Sequence, residues 1–488
     1  MKDLILDSAL KQVAAIRSGT ISAAELLEMY LERVRRLNPK LNAVVHIDAQ
    51  SARTRAAQAD EALANNRSWG PLHGLPITVK DTFEVAGMPC TSGSPRLKAH
   101  VPSRNADVVQ SLVDAGAVIF GKTNVPLFGG DFQSYNDVYG QSNNPWDTGK
   151  TPGGSSGGAA AAVAAGLSGI EIGSDIAGSI RIPAHFCGIY GHKPSYGIVP
   201  LRGHIPPMPG IFTGEYVLGI DLLVAGPMAR SIDDISLAMD LLVAPELPEK
   251  RALQITLPPP RQTPLADLRI AVWLDDRACP VDAGIGDLLS QTIDRLAAAG
   301  ANIADAHPEI DLAANQELFL GFLAAVIGAG SPDKYFNKWM EEAAGLAPDD
   351  RSYKACHLRG ATQLHKRWVE NNALRQIFRQ QWADFFTRYD VLVCPAAPVT
   401  ALHHDHGYMY DRHFPVNGIP RPYMDLSAWA GLAGMAYLPA TVAPMGLCPG
   451  GMPAGIQIIG PYLEDRTTIF MAKHLEKITG GFTPPAGF

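Results

Sequence analysis

The sequence is poor in charge, and what charge it has is of the wrong sign for a polyanion. Only 18% of the 488 residues are Asp, Glu, Lys or Arg, and the formal net charge is −7. Without a positive field or a basic run, neither nucleic acid nor an anionic membrane surface is expected as a partner. Cysteine is scarce as well. The six residues (Cys90, Cys187, Cys279, Cys356, Cys394 and Cys448) are scattered, with no pair at the close spacing of a zinc site or redox motif. They read as reduced core thiols. No apolar run reaches the roughly 18 residues of a spanning helix. The charges of Lys2, Asp3, Asp7 and Lys11 interrupt the N-terminal stretch that a secretion signal would need. A cytoplasmic location is the resulting expectation.

What the chain does have is apolar material, 47% of its residues, enough to bury a large core. Length alone leaves the number of domains open. Ser22 followed by Glu25 and leucines at helical spacing up to Leu37 predicts a capped helix. A second, Ala-rich surface helix is expected over 48–66, and another helix over 282–299. Short apolar strands are expected at 75–79, 118–120, 169–172, 222–224, 269–272, 391–394 and 455–459. Strands alternating with helices argue for an α/β layer structure with a largely buried sheet. Six prolines between 245 and 268 mark a surface connection.

Three patches stand out: GLPITVKD (74–81), GGSSGG (153–158) and GSDIAGSIRIPA (173–184). Each has an innocent reading alone, since a lysine ending a strand is usually solvated and a Gly/Ser run is usually a turn. Other patterns can be set aside. Residues 116–123 match the phosphate-loop pattern, but Ala117, Val118, Ile119 and Phe120 read as a buried strand, and Pro126 spoils the helix that should follow. Residues 154–158 match the nucleophile elbow with Ser156 at its centre, yet TGKTPGG before it is a poor strand. His403, His404, Asp405 and His406 resemble a metal cluster, but adjacent loop histidines usually face different ways and no fourth ligand is signalled. Neither metal nor cofactor is expected.

Taken together, the three patches resemble the amidase signature family, with Ser155 and Ser179 at that family's separation of 24 positions and Lys80 upstream where its base stands. GAVIFGKTN (116–124), CGIYGHKPSYG (187–197), LPATVAPMG (438–446) and GIQIIGP (455–461) extend the resemblance over nearly the whole chain. It implies a single large domain with a central, mostly buried mixed β-sheet flanked by helices. Its segments would be a helical stretch at 1–69, a signature core at 70–244, the proline-rich connection at 245–268 and the rest of the fold at 269–488.

The resemblance also implies a cofactor-free hydrolysis of a linear or aryl carboxamide through an acyl-enzyme. Ser179 would be the nucleophile, Ser155 the proton relay and Lys80 a neutral general base. Bringing a lysine from about 10.4 to about 7 needs roughly 4.6 kcal/mol of discrimination against the cation. Burial can supply it, and Asp81 would oppose it if its carboxylate faced the amine. The backbone N–H groups of Ile176, Ala177, Gly178 and Ser179 would form the oxyanion hole, with Ala177 standing where the family usually has glycine. A cis peptide bond between Gly154 and Ser155 is implied too. Asp175 and Arg181 are expected to support the loop through buried hydrogen bonds or a mutual pair, and to do no chemistry. The alternative reading is a glutamyl-tRNA amidotransferase A-type subunit that releases ammonia from glutamine within a complex. GHKPSYGIVP (191–200) departs from that subfamily. A small amide is the expected partner, with at most a second copy of the chain. Leu127, where an acid is common, hints at an apolar pocket wall; Phe128, Phe132, Tyr135 and MPGIF (208–212) are either core or pocket lining.

Overall fold

The computed structural model describes residues 4–209, 219–262 and 264–488. Of the MPGIF stretch, residues 210–212 therefore lie outside the described residues. An eight-stranded mixed sheet forms the centre of the molecule. Its order is Asn302–Asp305, Arg269–Val272, Val391–Pro395, Pro453–Ile459, Ala440–Leu447, Tyr190–Lys193, Val224–Ala229, Ile170–Asp175. The first three strands run parallel and the rest pair antiparallel. Strands from both sides of the proline-rich connection share this sheet, so one layered core spans the chain. Within 245–268, Leu257 and Leu268 are the buried anchors among the described residues, which keeps that segment on the surface.

A smaller sheet places Val118–Thr123 between Val44–Ile47, antiparallel, and Pro76–Lys80, parallel. Its outer face is covered by the helices Ala23–Leu41 and Ala49–Ala64. Leu26, Leu27, Tyr30, Val34, Ala56 and Ala59 pack there against Val118 and Phe120. The first of these helices has the expected capping box, Ser22 and Glu25 each satisfying the other's backbone N–H.

The helix Leu312–Gly330 has a mean hydropathy of 1.5 and is long and apolar enough to cross a membrane by length and composition alone, which the charge-interrupted sequence had not suggested. One face of it packs inward, with Leu312, Phe319, Leu320, Phe322 and Ala324 buried, while Ile327 is exposed. Gln316 is buried and donates to Met424 O at 3.2 Å and Ser427 Oγ at 2.9 Å.

Candidate active site

The strand Pro76–Lys80 is buried along its whole length. Alternation sends Ile77 and Val79 into the main core and turns Thr78 and Lys80 toward the strand Ile170–Asp175. There the Thr78 hydroxyl donates to Glu171 Oε1 at 2.5 Å, and Lys80 Nζ lies 2.9 Å from Ser174 Oγ. The amine is also 2.8 Å from Ser155 Oγ and 2.8 Å from Ser156 Oγ. Lys80 has no exposed surface, and among the described residues no carboxylate pairs with it. Burial, resisted by the more distant Asp175 and Glu171, brings its pKa down from 10.5 to about 7. Asp81 does not face this amine. Its carboxylate accepts from Lys122 Nζ at 3.2 Å and from Thr91 Oγ1 at 2.5 Å.

Ser155 follows a cis Gly154–Ser155 peptide bond and is 3% exposed. The glycines around it are dictated by crowding. A Cβ on Gly154 would sit 2.5 Å from Asp131 O, and one on Gly158 2.4 Å from Asn124 N. This stretch is thus an enclosed wall rather than a flexible turn, and it continues into the helix Gly157–Ala164, every residue of which is buried. Ser156, the centre of the elbow-like pattern, is fully buried and holds the amine, whereas Ser179 keeps 8% of its surface. An elbow serine has to present its Oγ at the open end of the turn.

Ser179 lies in the loop joining the strand Ile170–Asp175 to the helix Arg181–Cys187. The loop is wrapped around a buried ion pair. Asp175 Oδ1 accepts from Arg181 Nη2 at 2.9 Å and Gly178 N at 2.8 Å, while Oδ2 accepts from Arg181 Nε and Ile180 N, each at 3.0 Å. Arg181 also donates to Ala430 O and Gln457 Oε1. Burial alone would raise the Asp175 pKa, but the Arg181 cation and the backbone donors hold it at about 2. This geometry corrects one expectation: the Gly178 N–H is committed to Asp175 and is not aimed at a substrate oxygen. The N–H groups of Ile176, Ala177 and Ser179 have no hydrogen-bond acceptor among the described residues. The left-handed residue is Gly178 (φ 105°), not Ala177, so the alanine takes an ordinary backbone conformation. Ser156 N donates to Ser179 O at 3.1 Å, tying the two signature segments together. Among the described residues no hydrogen bond joins the Ser155 and Ser179 hydroxyls.

The pattern-only candidates separate from this centre. Val118–Thr123 is a buried middle strand, with Lys122 turned to Asp81. The histidines near 404 go to different partners: His406 stacks on Tyr135 at 3.8 Å, and His403 lies 3.3 Å from Gly149 O. Phe132 is buried in one apolar cluster with Ala177, Phe319, Leu320 and Met424. Phe128 and Met208 pack instead against Cys90, Leu97 and Ile205, and Leu127 is half exposed. Sequence reasoning missed Ser174 and His204. The His204 Nε2 lies 3.0 Å from Ser174 Oγ, and no motif signals it.

Comparison with known proteins agrees with this architecture. The Amidase family model matches residues 25–469. An indoleacetamide hydrolase of Bradyrhizobium diazoefficiens is 32% identical, the alignment covering 94% of this chain and 84% of that one. The A-type subunit of the glutamyl-tRNA(Gln) amidotransferase from Acidothermus cellulolyticus is 31% identical over 95% of this chain and 93% of its own. Among solved structures, a bacterial aryl acylamidase of the amidase signature family superposes with a TM-score of 0.80 at 25% identity, covering 99% of each chain. The chain belongs to the amidase signature family and is an amide hydrolase acting on carbon–nitrogen bonds.

Proposed function

We propose that the chain hydrolyses a small carboxamide through an acyl-enzyme on Ser179, with Lys80 as general base and Ser155 as the relay between them. Neutral Lys80 takes the Ser155 hydroxyl proton while Ser155 Oγ takes that of Ser179, and Ser179 Oγ forms a bond to the amide carbon. The carbonyl oxygen, now negative, is received by the N–H groups of Ile176, Ala177 and Ser179. Collapse breaks the C–N bond, and the departing amine or ammonia takes the proton back from Lys80 through Ser155. Water then attacks the ester by the same route, releasing the acid and restoring Ser179. The observation that carries this reading is a fully buried amine 2.8 Å from the Ser155 hydroxyl with its pKa at about 7. Mass spectrometry of the enzyme after reaction with an activated phosphonate ester is its test. The label belongs on Ser179; a label on Ser156 would overturn the assignment.

An uncharged, apolar amide suits the surroundings. Ala177 shares an apolar cluster with Phe132, Phe319, Leu320 and Met424, and Arg412, a cation stacked on Tyr423 of that cluster, is held by both oxygens of Asp131 at 3.0 and 2.8 Å. A glutamine substrate would bring two charges to such a wall. The amidotransferase subunits among the relatives support the second reading, ammonia release from glutamine within a complex. Parallel assays on aryl amides, aliphatic amides and glutamine separate the two: turnover of aryl amides by the isolated chain is expected, and glutamine turnover that requires a copurified subunit would favour the second. A cytoplasmic location, with no macromolecular partner beyond a second copy, belongs to the same proposal and is supported by the acidic net charge.

A further inference from the structure

We infer that His204 is a positioning residue: acting through the Ser174 hydroxyl, it turns the lone pair of Lys80 toward Ser155. The inference rests on the proposed role of Lys80 and adds a requirement that the role alone does not contain.

His204 is held beside the lysine strand by backbone contacts. Glu84 N donates to Gly203 O at 2.9 Å, Ile205 N to Thr82 O at 2.7 Å, and the imidazole meets the Phe83 ring edge-on at 4.9 Å. Its Nδ1 lies 2.9 Å from Pro206 O and its Nε2 3.0 Å from Ser174 Oγ. Burial pushes the His204 pKa down to about 3, so the ring is neutral; a carbonyl oxygen can only accept, so Nδ1 carries the single proton and Nε2 offers a lone pair. The Ser174 hydroxyl must then donate to Nε2, and its oxygen is left to accept an N–H of Lys80 at 2.9 Å.

Ser156 is constrained in the same sense. Its Oγ lies 3.4 Å from Ser174 O, an acceptor, and 2.8 Å from Lys80 Nζ. Its proton goes to the carbonyl and its oxygen accepts the second amine N–H. A neutral amine has two N–H bonds and one lone pair. The fourth neighbour, Ser174 O at 3.4 Å, is a carbonyl and can only accept, so with both N–H bonds directed at Ser174 and Ser156 the one hydroxyl left to meet the lone pair is Ser155 Oγ at 2.8 Å. Were His204 unable to accept, the Ser174 hydroxyl would be free to aim its own proton at Lys80 and occupy the lone pair that Ser155 needs.

The test compares His204→Leu, His204→Gln and Ser174→Ala with the unaltered enzyme on one amide substrate. Removing the acceptor in His204→Leu is expected to lower kcat by at least about 10-fold with KM within about twofold, because a misoriented base is a loss in the transition state. His204→Gln, whose amide oxygen accepts and whose amide nitrogen donates, is expected to recover most of that loss. The double variant His204→Leu with Ser174→Ala is expected to be no slower than Ser174→Ala alone. A kcat unchanged in His204→Leu, a loss carried by KM, or multiplicative losses in the double variant would each overturn the inference. If His204→Leu does not fold, as judged by circular dichroism, His204→Gln and Ser174→Ala decide it: full loss in the first or none in the second is fatal. Lys80→Ala separates the two levels. An active Lys80→Ala defeats the base itself, whereas an inactive Lys80→Ala beside a fully active His204→Leu defeats only the positioning.

Discussion

Lys80 and Lys122 lie on neighbouring parallel strands, Val79 opposite Lys122 and Lys80 opposite Thr123, and neither has any exposed surface. Their protonation nevertheless diverges. Burial opposes the charge of Lys122, but Cys90 and the Asp81 carboxylate at 3.2 Å outweigh it, and its pKa is raised. Burial opposes the charge of Lys80 and meets only neutral partners at short range, three serine hydroxyls and the Ser174 carbonyl, so its pKa falls to about 7. Burial does not decide the state of a lysine; the partner does. A hydroxyl satisfies an amine and an ammonium alike but brings no countercharge. The fold gives each surrounding carboxylate another partner, Asp81 to Lys122, Asp175 to Arg181 and Glu171 to the Thr78 hydroxyl. Lys193 sharpens the lesson. It too is buried with a pKa of about 7, but it donates to Pro194 O, and among the described residues no serine hydroxyl is bonded to it. A neutral amine becomes a base only where a reacting proton lies within its reach.

The largest difference between the two should appear on removing each charge. Lys80→Met is expected to lower kcat by about 10⁴-fold or more, the loss typical of a member of a nucleophile–base unit. The same change should stabilise the fold. The folded pKa of Lys80 lies below its unfolded value of 10.5, so the unfolded chain binds the extra proton, and the penalty is complete below pH 7. It shrinks as pH rises from 7 to 10.5, and its full size is at most about 5 kcal/mol. Denaturant unfolding of both proteins at pH 6 and pH 10 checks this: a Lys80→Met that is less stable at pH 6 contradicts a costly buried amine. Lys122→Met should do the opposite, destabilising by about 3–5 kcal/mol because Asp81 is left buried without its cation. Adding Asp81→Asn should recover much of that. Activity per folded molecule should stay near normal, which active-site titration can measure.

These contrasts also mark what the sequence disclosed. The strand Arg269–Val272 and the helix Ala283–Ala298 fall where apolar spacing put them, because each has an uninterrupted pattern. The expectation of a strand at 222–224 was displaced. The strand is Val224–Ala229, and its Gly226 and Pro227 disguise it. Packing requires that glycine, since a Cβ there would lie 2.2 Å from His192 O. In the site, Lys80 and Ser155 meet as their motifs imply, at 2.8 Å. The committed N–H of Gly178 was not legible, because it depends on how Asp175 folds back under its own loop. His204 was equally hidden. It stands 30 positions from Ser174 and reaches it by lying alongside Phe83, a contact with no local pattern.

The pH profile tests the comparison more gently. Only the neutral form of Lys80 accepts a proton, so kcat should rise about tenfold per pH unit below 7 and level off above it. An activity already flat between pH 5 and 7 would mean that the amine is not the titrating base. A lysine paired as Lys122 is would place the limb far higher.

The finest test is Glu171→Gln, which alters a carboxylate near Lys80 without touching the amine. Glu171 is buried and its pKa is pushed up to about 7 by that burial, although Thr78 and the Ile172 N–H favour the anion. When ionised it resists the fall of the Lys80 pKa. Glutamine keeps an acceptor for the Thr78 hydroxyl but removes the charge. The acid limb of kcat should therefore move to lower pH by less than about one unit. Stability should change in a matching window. The folded Glu171 keeps its proton above its unfolded pKa of 4.5, so its contribution is present below 4.5 and is lost as pH rises to about 7. Glu171→Gln should flatten that part of the stability curve. A limb that moves down by several pH units would show that the carboxylate, rather than burial among hydroxyls, sets the state of the amine, and the contrast with Lys122 would lose its basis.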